Sequence, residues 1–204
     1  MKKVKTINFE YDEVLKNNIS TYKKTSNNSK EKKILIDSDL VCIDFDNVKR
    51  EYANKKDIVE PKSVDALVLT KECEYFIEFK YAKMNSKQTR GSVEKAKDSL
   101  IIFSDLKDCD FRDIRERAHF ILVYSFERNK EEKENQINQL KEKKENQLKE
   151  ERKSFANRLY KKAKEEYILF GIDKLKNFYF NNVHTFDENE FMEYITKNKI
   201  KHLE

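Results

Sequence analysis

Apolar residues along the chain follow two periods, and each predicts its own kind of element. Val64 to Thr70 and Tyr75 to Phe79 are short runs rich in β-branched and aromatic residues, separated by a brief polar break. They predict adjacent strands of a hairpin. Lys33 to Asp37 and Leu40 to Phe45 predict two further short strands around an Asp37-Ser38-Asp39 turn, and Asn177 to Phe186 a late strand. Ala118 to Phe126 is nearly all apolar, as a strand buried on both faces would be. Helical spacing appears over Tyr11 to Lys23, where Val14, Leu15, Ile19 and Tyr22 share a face. It returns at Val93, Ala96, Leu100 and Phe103, predicting a helix that runs to Leu106, follows a polar loop over 85–92 and is capped by Ser92. A helix followed by an apolar run fits a crossover to a parallel strand. Asp46 to Ala53 reads as a helical turn and Asn54 to Lys62 as a polar connection holding Pro61. Asp187 opens a terminal helix carrying Phe191, Tyr194 and Ile195.

Between these apolar segments lies a run of another kind. From Glu127 to Glu166 no proline and no glycine interrupts Glu, Lys, Gln, Asn and Arg, most of them good helix formers. Its apolar residues, Ile137, Leu140, Leu148, Phe155 and Leu159, do not hold a heptad, because Lys144 falls where an apolar residue is due. A solvated helix or helical hairpin projecting from the domain is the plainer reading. An arm for homodimerisation or for gripping nucleic acid is the alternative. The expected organisation is an α/β core over 1–126, a charged helical arm inserted over 127–166, and a strand and helix over 167–204 that complete the core. The expected fold class is α/β, with a mixed central β-sheet flanked by helices and a long charged helical insertion.

The hairpin carries the candidate chemistry. If Lys71-Glu72 is a two-residue turn closed by Thr70 and Cys73, Asp65 lies across from Glu78 on one face of the sheet. Alternation puts Lys80 on that face too. Two carboxylates and an ammonium in an otherwise apolar hairpin are unfavourable unless something uses them. The turn lacks the Asn-Gly or glycine-containing pair such hairpins prefer. A slip of one residue would move Asp65 to the opposite face from Glu78.

An Asp followed, a hairpin's length later, by Glu-x-Lys at a strand end resembles the PD-(D/E)XK nuclease superfamily. The matching residues are Asp65 and Glu78-Phe79-Lys80. A helix before the hairpin and a helix and strand after it extend the likeness over roughly the first 126 residues, plus the C-terminal strand. Val64 stands where the family pattern has proline. Glu-x-Lys alone carries little, since it recurs at Glu31/Lys33, Glu60/Lys62, Glu131/Lys133, Glu142/Lys144 and Glu151/Lys153. Only the copy at Glu78 ends an apolar strand with an Asp upstream.

The resemblance implies a restriction-endonuclease-like core and phosphodiester hydrolysis with Asp65, Glu78 and Lys80 as catalytic residues. Mg²⁺ or Mn²⁺ would be held by Asp65, Glu78 and the Phe79 backbone carbonyl, a hard-oxygen set. Lys80 would orient or deprotonate a water, or neutralise developing charge. A carboxylate from the first helix, Glu13 or Glu10, would complete the site. Asp44 and Asp46 compete for that place, although a polar turn accounts for them as well. Gln88, Arg90, Lys95 and Lys97 follow the motif and are candidates for binding phosphate, or equally for a solvated helix start. A salt-bridge cluster at a strand end is the bland account of Asp65, Glu78 and Lys80.

Bulk properties narrow the choice modestly. Of 204 residues, 43 are basic and 38 acidic, a net +5 that permits a polyanionic partner without requiring one. DNA is expected ahead of RNA. Cys42, Cys73 and Cys109 are odd in number and unpaired in spacing, as reduced thiols of a cytoplasmic protein would be. No stretch reaches the ~18 apolar residues of a membrane span, and no apolar segment behind Met1-Lys2-Lys3 suggests a signal peptide. His119 and His184 fall in apolar strands and read as core histidines, which leaves no zinc set. The alternative function is a non-catalytic module that binds nucleic acid or protein on a nuclease-like fold.

Overall fold

The computed structural model of the chain describes residues 13–29, 31–150 and 167–203. Among them, six strands form one mixed sheet: β1 (Ile19–Thr21), β4 (Val41–Asp44), β5 (Ala66–Leu69), β6 (Glu74–Lys80), β7 (Ala118–Tyr124) and β8 (Asn182–Asp187), neighbours in that order. Pairing is antiparallel from β1 to β6 and parallel from β6 through β7 to β8. Two short strands, β2 (Asn27–Asn28) and β3 (Lys33–Ile34), make a separate ribbon. The helices are α1 (Glu13–Asn17), α2 (Tyr22–Thr25), α3 (Phe45–Lys56), α4 (Ser86–Lys107), α5 (Phe111–Arg115), α6 (Phe126–Glu150) and α7 (Glu188–Lys197). The fold is α/β, a mixed sheet with helices on both faces.

Alternation along β5 to β8 divides the core in two. Leu67, Leu69, Phe76, Phe120, Leu122, Tyr124 and Val183 face α1, α3 and α4. Ala66, Val68, Ile77, Ile121, Val123 and Phe186 face Tyr22 of α2 and Phe191 and Ile195 of α7. Phe76 anchors the first layer, meeting Phe45, Phe103 and Phe180 edge-on at 5.5–6.1 Å between centroids. Asp187 caps α7 through a capping box with Glu190.

Several boundaries differ from the sequence expectations. The helix expected over 11–23 is broken, because the Asn18 side chain turns back to donate to the Val14 carbonyl at 2.8 Å and to Glu51. Ile19 then enters edge strand β1 and is half exposed. The expected loop over 85–92 is helix: the Asn85 side chain accepts from the Lys87 and Gln88 N–H groups at 3.0 Å and starts α4 there. Gly91 lies inside that helix with open space around it, and Ser92 is buried in the helix, bonded to the Gln88 carbonyl, instead of capping it. The expected turn at 46–53 is the longer α3, started by the Asp44 cap. The late strand begins at Asn182, after a one-turn helix at Asp173–Leu175.

The charged run begins as α6 directly after β7, and its first turns are docked on the domain. Asn129 is buried, and Ile137 and Leu140 pack against the core. Phe155, Leu159 and the rest of the expected arm over 151–166 lie outside the described residues.

Candidate active site

The β5–β6 ladder pairs Ala66 with Ile77 and Leu69 with Glu74, so the turn closes on Thr70 and Cys73. The Thr70 N–H donates to the Cys73 carbonyl at 2.9 Å, and the Thr70 hydroxyl accepts from the Cys73 N–H at 2.9 Å. Neither Lys71 nor Glu72 takes a positive φ, so the turn needs no glycine, and the Thr70 hydroxyl holds it closed by accepting from the Glu72 N–H as well. Asp65 is one step beyond the ladder, at a bend where its N–H donates to the Ile77 carbonyl at 3.1 Å. Its side chain stays on the face of Glu78.

The bend is held from three sides. The Phe45 N–H donates to the Asp65 carbonyl at 3.2 Å. The Val64 N–H donates to Ser99 Oγ of α4 at 2.9 Å. The Ser63 hydroxyl donates to Asp46 Oδ1 at 2.6 Å. The Asp65 carboxylate is aimed by the next strand, since its Oδ2 accepts the Phe79 N–H at 2.6 Å.

Glu78 has no solvent exposure, and its Oε1 lies 2.7 Å from Lys80 Nζ, an ion contact without hydrogen-bond alignment. Lys95 of α4 completes the cluster, with Nζ 2.9 Å from Asp65 Oδ1 and 3.0 Å from Glu78 Oε2. Burial pushes the Glu78 carboxyl up to about 7, and the Asp65 charge adds to this, against the opposing pull of Lys95 and Lys80. Burial alone would lower Lys95. The Glu78 and Asp65 carboxylates outweigh it and hold the ammonium above its ordinary value.

The structure therefore brings together Asp65, Glu78 and Lys80, and adds Lys95, expected at the phosphate-facing helix start. Its ammonium is engaged by both acids. One signal for this was in the sequence: Lys95 shares a helix face with Ser92 and Ser99, beside the apolar stripe of Val93, Ala96, Leu100 and Phe103. Phe79 sends its ring to the other face, against Tyr22 and Phe191, while its backbone meets Asp65.

Of the proposed third acids, Glu13 is exposed on α1 and no hydrogen bond or ion pair among the described residues links it to the pair; Glu10 lies outside the described residues. Asp44 is the cap of α3, accepting the Asn47 N–H at 3.1 Å. Asp46 is closer to the site. Burial would raise its carboxyl, but the Ser63 hydrogen bond and the charges of Lys49 and Lys95 bring it below its usual value. Gln88 is half-buried in the first turn of α4. Arg90 is exposed and, with Lys97 and Lys174, lines an open groove of about 640 Å³ between α4, α6 and the segment at Phe170. His119 and His184 stack on each other on the opposite face of the sheet.

A divalent ion fits this donor set on two counts. The set offers hard carboxylate oxygens, and a buried oxygen, Glu78 Oε1, takes no hydrogen bond among the described residues. Those residues hold no group of three or more His, Cys, Asp and Glu side chains placed to share an ion. No helix among them is long and apolar enough to cross a membrane. No family model, curated protein or solved structure matches the chain.

Proposed function

We propose that the protein is a metal-dependent nuclease that hydrolyses phosphodiester bonds, with DNA the preferred substrate. The observation that carries this reading is the convergence of Asp65, Glu78 and Lys80 on one face of the hairpin, with Glu78 wholly buried. Burying a carboxylate beside another is unfavourable for the fold, and a cation site gives it a use.

Asp65 and Glu78, with the Phe79 backbone carbonyl, would hold Mg²⁺ or Mn²⁺. When bound, such an ion supplies acidification of water and screening of phosphate charge. Asp65 is oriented for this by the Phe79 N–H, which fixes one carboxylate oxygen and leaves Oδ1 turned to the site. Lys80, beside Glu78, would hold the attacking water or balance charge on the phosphate oxygens. Arg90 and Lys97 in the neighbouring groove would contact backbone phosphate without reading bases.

A second reading, a non-catalytic nucleic-acid or protein-binding module, is favoured by one observation. Lys95 already bridges both acids, as in a structural ion cluster. Incubating plasmid with the protein and Mg²⁺ or Mn²⁺, alongside Asp65→Ala and Lys80→Ala, separates the two. The nuclease reading expects cleavage by the wild type and a loss of about a hundredfold or more in each variant. Equal behaviour of all three, with DNA still bound, assigns the chain to the binding module.

A further inference from the structure

We propose that Lys95 is a built-in cation that occupies the metal position of the free protein and is displaced when a divalent ion binds. The inference rests on the metal-dependent reading above and concerns how that site is filled. Each carboxylate turns one oxygen to a group on strand β6. Asp65 Oδ2 accepts the Phe79 N–H, and Glu78 Oε1 lies against Lys80. The other two oxygens, Asp65 Oδ1 and Glu78 Oε2, share one cation, Lys95 Nζ, at 2.9 and 3.0 Å.

An ammonium and a divalent ion cannot share those two oxygens, because their like charges would stand within contact distance in a buried site. One must leave. Without any cation there, two acids would face each other with Glu78 fully desolvated, so the fold needs a resident charge before metal arrives.

Lys95 is suited to leaving. It is carried on a helix rather than on the hairpin, its flexible four-carbon stem has rotamers to spare, and a quarter of the side chain is exposed. Lys80, on the strand itself, is less exposed and touches only Glu78 of the pair. The freed ammonium stays within its stem's reach of the site, where it would add positive charge beside Lys80 for a phosphate.

The consequence is a penalty on metal affinity set by how firmly Lys95 holds its place. Mn²⁺ binding to the full chain, followed by electron paramagnetic resonance, measures it. Lys95→Met is expected to bind Mn²⁺ about tenfold or more tightly than the wild type, and Asp65→Asn to lose binding. Equal or weaker binding by Lys95→Met, with binding still lost in Asp65→Asn, overturns the displacement and leaves the metal site standing. No Mn²⁺ binding by any variant overturns both.

Lys95→Met leaves the acids without their partner and could fail to fold, so the wild type provides a second readout. Brief acetylation with acetic anhydride, read by mass spectrometry, is expected to modify Lys95 severalfold faster with saturating Mg²⁺ than without. An unchanged or slower rate at Lys95, with other lysines as internal reference, also overturns the proposal.

Discussion

Glu78 is the residue on which the pH behaviour of the molecule turns. Its carboxyl is fully buried, and burial pushes it up to about 7 in the folded protein, against 4.5 for an unperturbed glutamate. Between those values the folded chain keeps a proton that the unfolded chain has released. Stability therefore falls as pH rises from about 4.5 to about 7, and this contribution is flat above that range. Glu78→Gln cannot lose that proton, so the slope should become shallower, Glu74 and Asp44 supplying what remains, and the variant should gain by a few kcal/mol on the alkaline side relative to the acid side. Urea unfolding of both proteins at pH of about 5 and about 8 checks this; an undiminished slope in Glu78→Gln would assign the pH dependence to another group. Glu74, the other buried acid of β6, shifts in the same direction. Arg117 meets its Oε1 at 2.9 Å, yet burial still raises its carboxyl and its Oε2 takes no hydrogen bond among the described residues, so it adds to the same slope.

The hairpin was legible in the sequence because both strands carry β-branched and aromatic residues in unbroken runs, and because Thr70 and Cys73 close a turn of the right length. The acids followed from that register. The start of α4 was not legible. Its first turns read Ser86-Lys87-Gln88-Thr89-Arg90-Gly91, a composition shared by loops, and the deciding contact is a side-chain cap one residue earlier. With the helix begun too late, Lys95 fell at its polar start and not on its buried face. The edge strand β1 was hidden for a related reason: Ile19 keeps helical spacing with Leu15 and Tyr22, yet the Asn18 side chain ends the helix before it. The cap of α4 has a measurable value. Asn85→Ala should destabilise the protein by about 1 kcal/mol, read as a lower urea midpoint with unchanged slope. No change in midpoint would mean that packing alone fixes where this helix begins.

Taken together, the sheet holds the site at the boundary between its antiparallel and parallel halves, where β6 pairs antiparallel with β5 and parallel with β7. Each half contributes: the antiparallel side sets Asp65 against Glu78, and the crossover from β6 to β7 supplies α4 and Lys95. The first turns of α6 then close the assembly. Asn129 accepts the Met84 N–H at 2.7 Å and donates to the Ser125 carbonyl at 2.9 Å, tying the chain just after the site strand to this helix. Lys133 reaches Asp187 and Glu190 at 2.8 and 2.6 Å and joins α6 to the cap of α7. The part of the charged run described here is thus bonded into the same body as the acid pair. Anomalous diffraction from crystals of the whole chain soaked in Mn²⁺ tests the account at its root. It predicts a manganese peak about 2.0–2.3 Å from oxygens of both Asp65 and Glu78, with Lys95 moved away. Lys95 still bridging the two carboxylates at saturating Mn²⁺, with no peak between them, would contradict it.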